Sequence, residues 1–126
     1  MNTKAIPIMY TGIALLIVIL LFTLVDHTIH GLNPTWAVPD YYFRNKIPFG
    51  FLWGIVGLFL ARKVPGIWLK AVIFSGVIAV VLQFRYFIEG YPLGFVVLFL
   101  FIHFAILYVL SLGMFVVFSR KRSTLL

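Results

Sequence analysis

Four apolar stretches separated by short polar breaks make up this chain. They cover residues 6–27, 47–62, 67–88 and 92–118, and a helix needs about 20 apolar residues to cross a hydrocarbon core of about 30 Å. The second stretch is purely apolar only over residues 49–60, so the turns before it must share the crossing. The pattern predicts an all-α fold: an integral membrane four-helix bundle, packed left-handed, with a short interfacial helix near residues 40–46 between spans 1 and 2. At 126 residues there is room for one four-span domain, 1–126, and no second one.

The breaks carry helix stop and start signals. Span 1 runs out in Asp26-His27-Thr28-Ile29-His30-Gly31, where the glycine is a natural C-cap. Residues 24–27 supply no small-residue cleavage motif, so this span is expected to stay attached. Pro34 and Pro39 mark a loop, and Pro39-Asp40 reads as the next helix start. Tyr41 and Tyr42, with Trp36 and Tyr91, suit one headgroup belt and Trp68 the other, while Arg44 and Lys46 are placed to reach water. Pro48 predicts a kink. Gly50, Gly54 and Gly57 form a small-residue stripe on span 2, Ala71, Ser75 and Ala79 form another on span 3, and the two are candidates to pack together. Arg62-Lys63-Val64-Pro65-Gly66 is the next turn. Pro48-Phe49-Gly50-Phe51 and Pro92-Leu93-Gly94-Phe95 echo each other faintly, which is thin support for a repeated hairpin.

Composition sharpens this picture. The chain is 63% hydrophobic and only 10% charged, with a mean hydropathy of +1.14, outside the range of soluble domains. A net charge of +7 does not indicate nucleic acid, because the basic residues sit at the ends of apolar runs and not on one polar face. They act as topology signals. Lys4, Arg62, Lys63, Lys70, Arg120, Lys121 and Arg122 lie on one side, seven cations against Arg44, Lys46 and Arg85 on the other. That imbalance predicts both termini in the cytoplasm and a place in the cytoplasmic (plasma) membrane. The acids Asp26, Asp40 and Glu89 then fall on the outer side. Without cysteine, disulfides, thiolate metal sites and iron-sulfur ligation are excluded.

Candidate chemistry concentrates in residues 81–93, where Gln83, Arg85 and Glu89 break an otherwise apolar sequence. Polar groups this close to a bilayer are kept for pairing, for a solute or for a partner. Counting 1.5 Å per residue from the inner ends puts Asp26 and Arg85 at roughly 27–29 Å, and Gln83 and His103 at roughly 22–24 Å. Asp26 is therefore expected to pair with Arg85, as a structural ion pair or as a gate, and His103 with Gln83, as a core histidine or part of a pathway. Asn45 and Lys46 reach the second layer only if helix continues through Pro48. On a regular helix Gln83 and Arg85 face opposite ways, whereas Arg85 and Glu89 share a face.

Asp26, His27 and His30 are spaced for Zn²⁺ or Cu²⁺, but three ligands without a motif do not assign a metal. His27 stands about 7 Å above His103, an unsuitable pair for haem. Ser75 and Ser111 have no base and orienting acid near them in depth, so hydrolytic chemistry has no support. No cofactor is indicated. The expectation is a small non-enzymatic multi-pass membrane protein, a subunit or binding partner whose outward polar cluster of Asp26, His30, Arg44, Arg85 and Glu89 carries the contact. The alternative is an oligomeric small-solute or ion transporter lined by Gln83, His103 and Arg85. The expected partners are the lipid bilayer and a second copy or another membrane subunit, not nucleic acid.

Overall fold

The computed structural model describes residues 5–125. Lys4, counted above among the inner cations, lies outside them, and the side chains of Lys121 and Arg122 lie outside the described ones. Four helices account for nearly all of the chain: α1 (Ala5–His30), α2 (Tyr41–Ala61), α3 (Ile67–Ile88) and α4 (Leu93–Leu125), with a 3₁₀ turn at Pro34–Trp36. Within α1, α3 and α4 the segments Pro7–His30, Ile67–Ile88 and Leu93–Arg120 are long and apolar enough to cross a membrane.

The helices pack in a closed ring, α1 on α2, α2 on α3, α3 on α4 and α4 back on α1. Short connections force neighbours to run antiparallel. At one end His30 of α1 meets Phe43 of α2, Tyr86 of α3 and Phe95 of α4 through ring contacts of 5.5, 6.3 and 6.0 Å. At the other end Tyr10 of α1 lies 6.3 Å from Phe118 of α4, and the Lys70 ammonium donates at 3.0 Å to the Ala61 carbonyl at the end of α2, which also accepts from the Val64 amide at 3.2 Å. Gly66 and Gly90, at φ of 80° and 85°, make the two tight turns in a conformation that side chains resist.

Residues 41–46 are not a separate interfacial helix. They are the first turns of α2, which runs on through Pro48 to Ala61. Proline removes the bond that the Arg44 carbonyl would accept. Packing holds the two halves in one helix nonetheless, because Tyr42, Phe43 and Lys46 before the proline and Gly50, Gly54 and Gly57 after it are all buried against neighbours.

The core is apolar along most of its length, with Leu15, Ile19 and Phe22 of α1, Phe74 and Ile78 of α3 and Leu107 of α4 fully enclosed. The outer surface is apolar too: Leu16, Leu20 and Leu24 on α1, Leu52 and Ile55 on α2 and Phe101 and Val109 on α4 are all exposed. Polar side chains go inside instead, among them Asp26, Lys46, Ser75, Gln83, His103 and Ser111. This inverts the distribution of a soluble bundle.

The small-residue stripes do not meet face to face. A Cβ on Gly50 would stand 3.2 Å from Ile19 and one on Gly54 would stand 2.6 Å from Leu15, so both glycines seat α1. Gly57 alone approaches α3, 3.3 Å from the Phe74 backbone. Ser75, at the centre of the other stripe, turns to α4 and shares a 3.2 Å hydrogen bond with Ser111.

Because the Phe74 backbone cannot move aside as a side-chain tip does, Gly57→Ile should cost about 1–3 kcal/mol of stability by overpacking. Gly76→Ile, at a glycine with nothing within 4 Å, should stay within about 0.5 kcal/mol of the parent. Reversible unfolding in mixed detergent micelles measures both.

Candidate functional site

The polar side chains that enter the bundle converge on one carboxylate. Asp26 lies four residues from the end of α1 and is 0% exposed. Lys46 of α2 donates its ammonium to Asp26 Oδ2 in a short contact. From α4, His103 places Nε2 2.8 Å from Asp26 Oδ1, and His30, one turn further along α1, places its own Nε2 3.4 Å from the same oxygen. Three helices thus supply one charged centre, and α3 contributes Gln83, whose Nε2 lies 2.6 Å from His103 Nδ1.

The hydrogen positions follow from what each partner can do. If Gln83 donates its amide hydrogen to His103 Nδ1, then Nδ1 is an acceptor and the ring's hydrogen sits on Nε2, donated to Asp26. His30 is fixed from the other side. Its Nδ1 lies 2.6 Å from the Trp36 carbonyl, which only accepts, so Nδ1 carries a hydrogen. In the neutral ring Nε2 is then a bare lone pair pointing at a carboxylate, and among the described residues it is one of three buried side-chain polar atoms without a hydrogen-bond partner, with Gln83 Oε1 and the Tyr86 hydroxyl.

Aromatic side chains close the space around this centre. The His30 ring stacks flat on Phe99 at 4.1 Å, Phe22 meets His103 edge-on at 5.3 Å, and the Lys46 ammonium lies 5.0 and 5.3 Å from the rings of Phe43 and Tyr86. The loop takes part as well. Asn33 accepts from the Thr35 amide at 3.0 Å and shapes the 3₁₀ turn, which brings the Trp36 carbonyl to His30. Beside the centre, between α2 and α3, is a cleft of about 430 Å³ lined by Lys46, Asn45, Phe49, Trp53, Arg85 and Tyr86 among others.

Of the residues singled out from the sequence, Asp26, His30, Gln83 and His103 come together. Arg85, Glu89 and Arg44 do not join them. The expected Asp26–Arg85 pair is absent: Arg85 turns to the rim, 3.3 Å from Glu89 on its own helix and 4.3 Å above the Tyr42 ring. Gln83 occupies the inward face of α3, so a residue two positions later must face away. Arg44 is exposed on α2. The five residues expected to form one outward cluster are therefore divided between the interior and the rim. The metal-ligand trio changes too, since exposed His27 packs edge-on against Phe43 at 4.7 Å and His103 takes its place beside Asp26 and His30.

Lys46, placed from the sequence as a cation reaching out to water unless helix continues through Pro48, joins the centre because α2 does continue. The available signal was helix continuity through Pro48, which carries Lys46 to the depth of Gln83. Ser75 and Ser111 make only their mutual bond and a 3.1 Å bond from Ser111 to the Tyr108 carbonyl; among the described residues no base stands with them.

Compared with family models, with curated proteins and with solved structures, the chain matches none.

Removing one partner of a buried ion pair costs about 3–5 kcal/mol. Asp26→Asn should show a loss of that size, and Lys46→Met a similar one. The double variant should be more stable than either single one, since it leaves no unpaired buried charge. Gln83→Leu, which removes one interhelical hydrogen bond, should cost only about 0.6–1.7 kcal/mol. Denaturant unfolding of the four variants checks this order.

Proposed function

We propose that this is a small multi-pass membrane protein that binds a small cation in its interior, with Asp26 as the binding carboxylate and Lys46 as the group the cation displaces. The observation that carries it is the convergence of Lys46, His103 and His30 on a carboxylate enclosed in a bundle that is apolar outside. Ionisable groups inside a membrane bundle are expensive and mark sites by default. Here the carboxylate already holds an internal ammonium, which is how a cation site stays neutral while it waits.

Binding is favoured over conduction. Toward the termini Ile19, Phe22, Phe74 and Ile78 fill the core, all fully buried, and the buried polar side chains there are the uncharged Thr23, Ser75 and Ser111, so among the described residues no buried charged group continues the Asp26 layer in that direction. A conducting path would have to be built between copies. The role as a docking subunit keeps only Arg44, Arg85 and Glu89 as an accessible contact, and Arg85 is already engaged by Glu89 and Tyr42.

The membrane orientation has both termini on the cytoplasmic side and the Asp26 centre near the outer face, by the charge imbalance. The absence of cysteine makes this simple to check. A membrane-impermeant maleimide applied to intact cells should label Thr35→Cys and not Lys63→Cys; the reverse pattern would invert the orientation.

Chlorides of Li⁺, Na⁺, K⁺, Mg²⁺, Ca²⁺ and Zn²⁺, titrated against the purified protein, test the cation site itself. At least one should raise the unfolding temperature in a saturable way. The rise should vanish in the Asp26→Asn/Lys46→Met double variant. No rise with any salt, or an equal rise in the double variant, would contradict the role.

A further inference from the structure

Resting on that cation-binding role, we infer that the cation is a first-row transition metal in the +2 state, held by Asp26, His30 and His103. One carboxylate oxygen and the two imidazole Nε2 atoms all lie within 4.8 Å of one another, which places them around a common point without movement of the helices. Nitrogen and carboxylate donors in this ratio suit Zn²⁺, Co²⁺, Ni²⁺ or Fe²⁺. Ca²⁺ and Mg²⁺ require more oxygen ligands than these residues offer.

His30 supplies the independent sign of a ligand. Its Nδ1 hydrogen is fixed on the Trp36 carbonyl at 2.6 Å, and its Nε2 is buried, without a hydrogen-bond partner, 3.4 Å from a carboxylate oxygen. A backbone carbonyl on one ring nitrogen and a free lone pair on the other is how a metal-ligating histidine is oriented. Stacking on Phe99, 6° from parallel, keeps the ring from turning away.

His103 needs one rearrangement. To offer Nε2 as a donor it must carry its hydrogen on Nδ1, and that hydrogen needs an acceptor. Gln83 holds one, because its Oε1 is buried without a partner. A half-turn of the amide brings Oε1 to His103 Nδ1 while the ring hydrogen moves from Nε2 to Nδ1. The flip exchanges which end of the Gln83 amide is partnered: Oε1 gains the His103 hydrogen, and the amide hydrogens move to the position that Oε1 vacates, where it had no partner.

Lys46 sets the condition for entry. A +2 ion beside the Lys46 ammonium would leave two excess positive charges in the core. With the ammonium withdrawn only one remains, and Lys46 also lines the cleft between α2 and α3, which gives it a place to go. Lys46 is thus the internal competitor of the metal.

The test uses the full chain in detergent, stripped with a chelator and titrated with CoCl₂, whose visible absorption reports nitrogen and oxygen ligation directly. One equivalent of Co²⁺ should bind. His30→Phe, which preserves the stack on Phe99, should weaken binding at least tenfold; His27→Ala should leave it unchanged. Lys46→Met should tighten it about tenfold, and His103→Gln provides a second ligand test if Lys46→Met does not fold. Loss of binding in His27→Ala with retention in His30→Phe would place the metal on the surface and overturn the inference. An absence of Co²⁺ binding would also overturn it. In that case a saturable shift with a monovalent salt that depends on Asp26 leaves the interior cation site standing, and no shift with any salt removes both.

Discussion

A carboxylate cannot stay charged in an apolar interior unless other groups supply what water gave it, and the end of this bundle is built around meeting that demand for Asp26. Desolvating one ion costs several kcal/mol even after the surroundings relax. Lys46 contributes the opposite charge and His103 a hydrogen bond, while Gln83 fixes His103 and the Trp36 carbonyl fixes His30. Each of these groups comes from a different element. The continuity of α2 past Pro48, the close seating of α1 on Gly50 and Gly54, and the hook of the loop over His30 can all be understood as conditions for bringing them to one point.

Much of the fold was legible in the sequence because the chain is simple. Three apolar runs of crossing length, Gly31 and Gly66 at helix ends and the Pro39-Asp40 start are local signals, and each falls at an element boundary in the structure. The separate interfacial helix was not a sound expectation. Tyr42 looks like a belt residue in a sequence, and only its burial against Tyr86 of α3 shows that it belongs to the bundle.

The site was half legible, for a geometric reason. Counting residues gives the height of each Cα and correctly put Gln83 beside His103. It put Asp26 about 5 Å above His103, too far to meet. Side chains on a helix lean toward its N-terminus. On α1 that lean carries Asp26 down, and on the antiparallel α2 and α4 it carries Lys46 and His103 up, so the three close the gap between their backbones. Height also says nothing about azimuth, and azimuth turned Arg85 away from Asp26.

The most direct test of this account is the distance between Asp26 Cγ and Lys46 Nζ in the full chain in lipid bilayers, measured as a carbon–nitrogen dipolar coupling by solid-state NMR on metal-free protein. The account predicts a coupling as strong as that of a hydrogen-bonded ion pair, and its loss when the bound cation takes the place of Lys46. Strong coupling of Asp26 to the Arg85 guanidinium, with none to Lys46, would contradict the centre on which the rest is built.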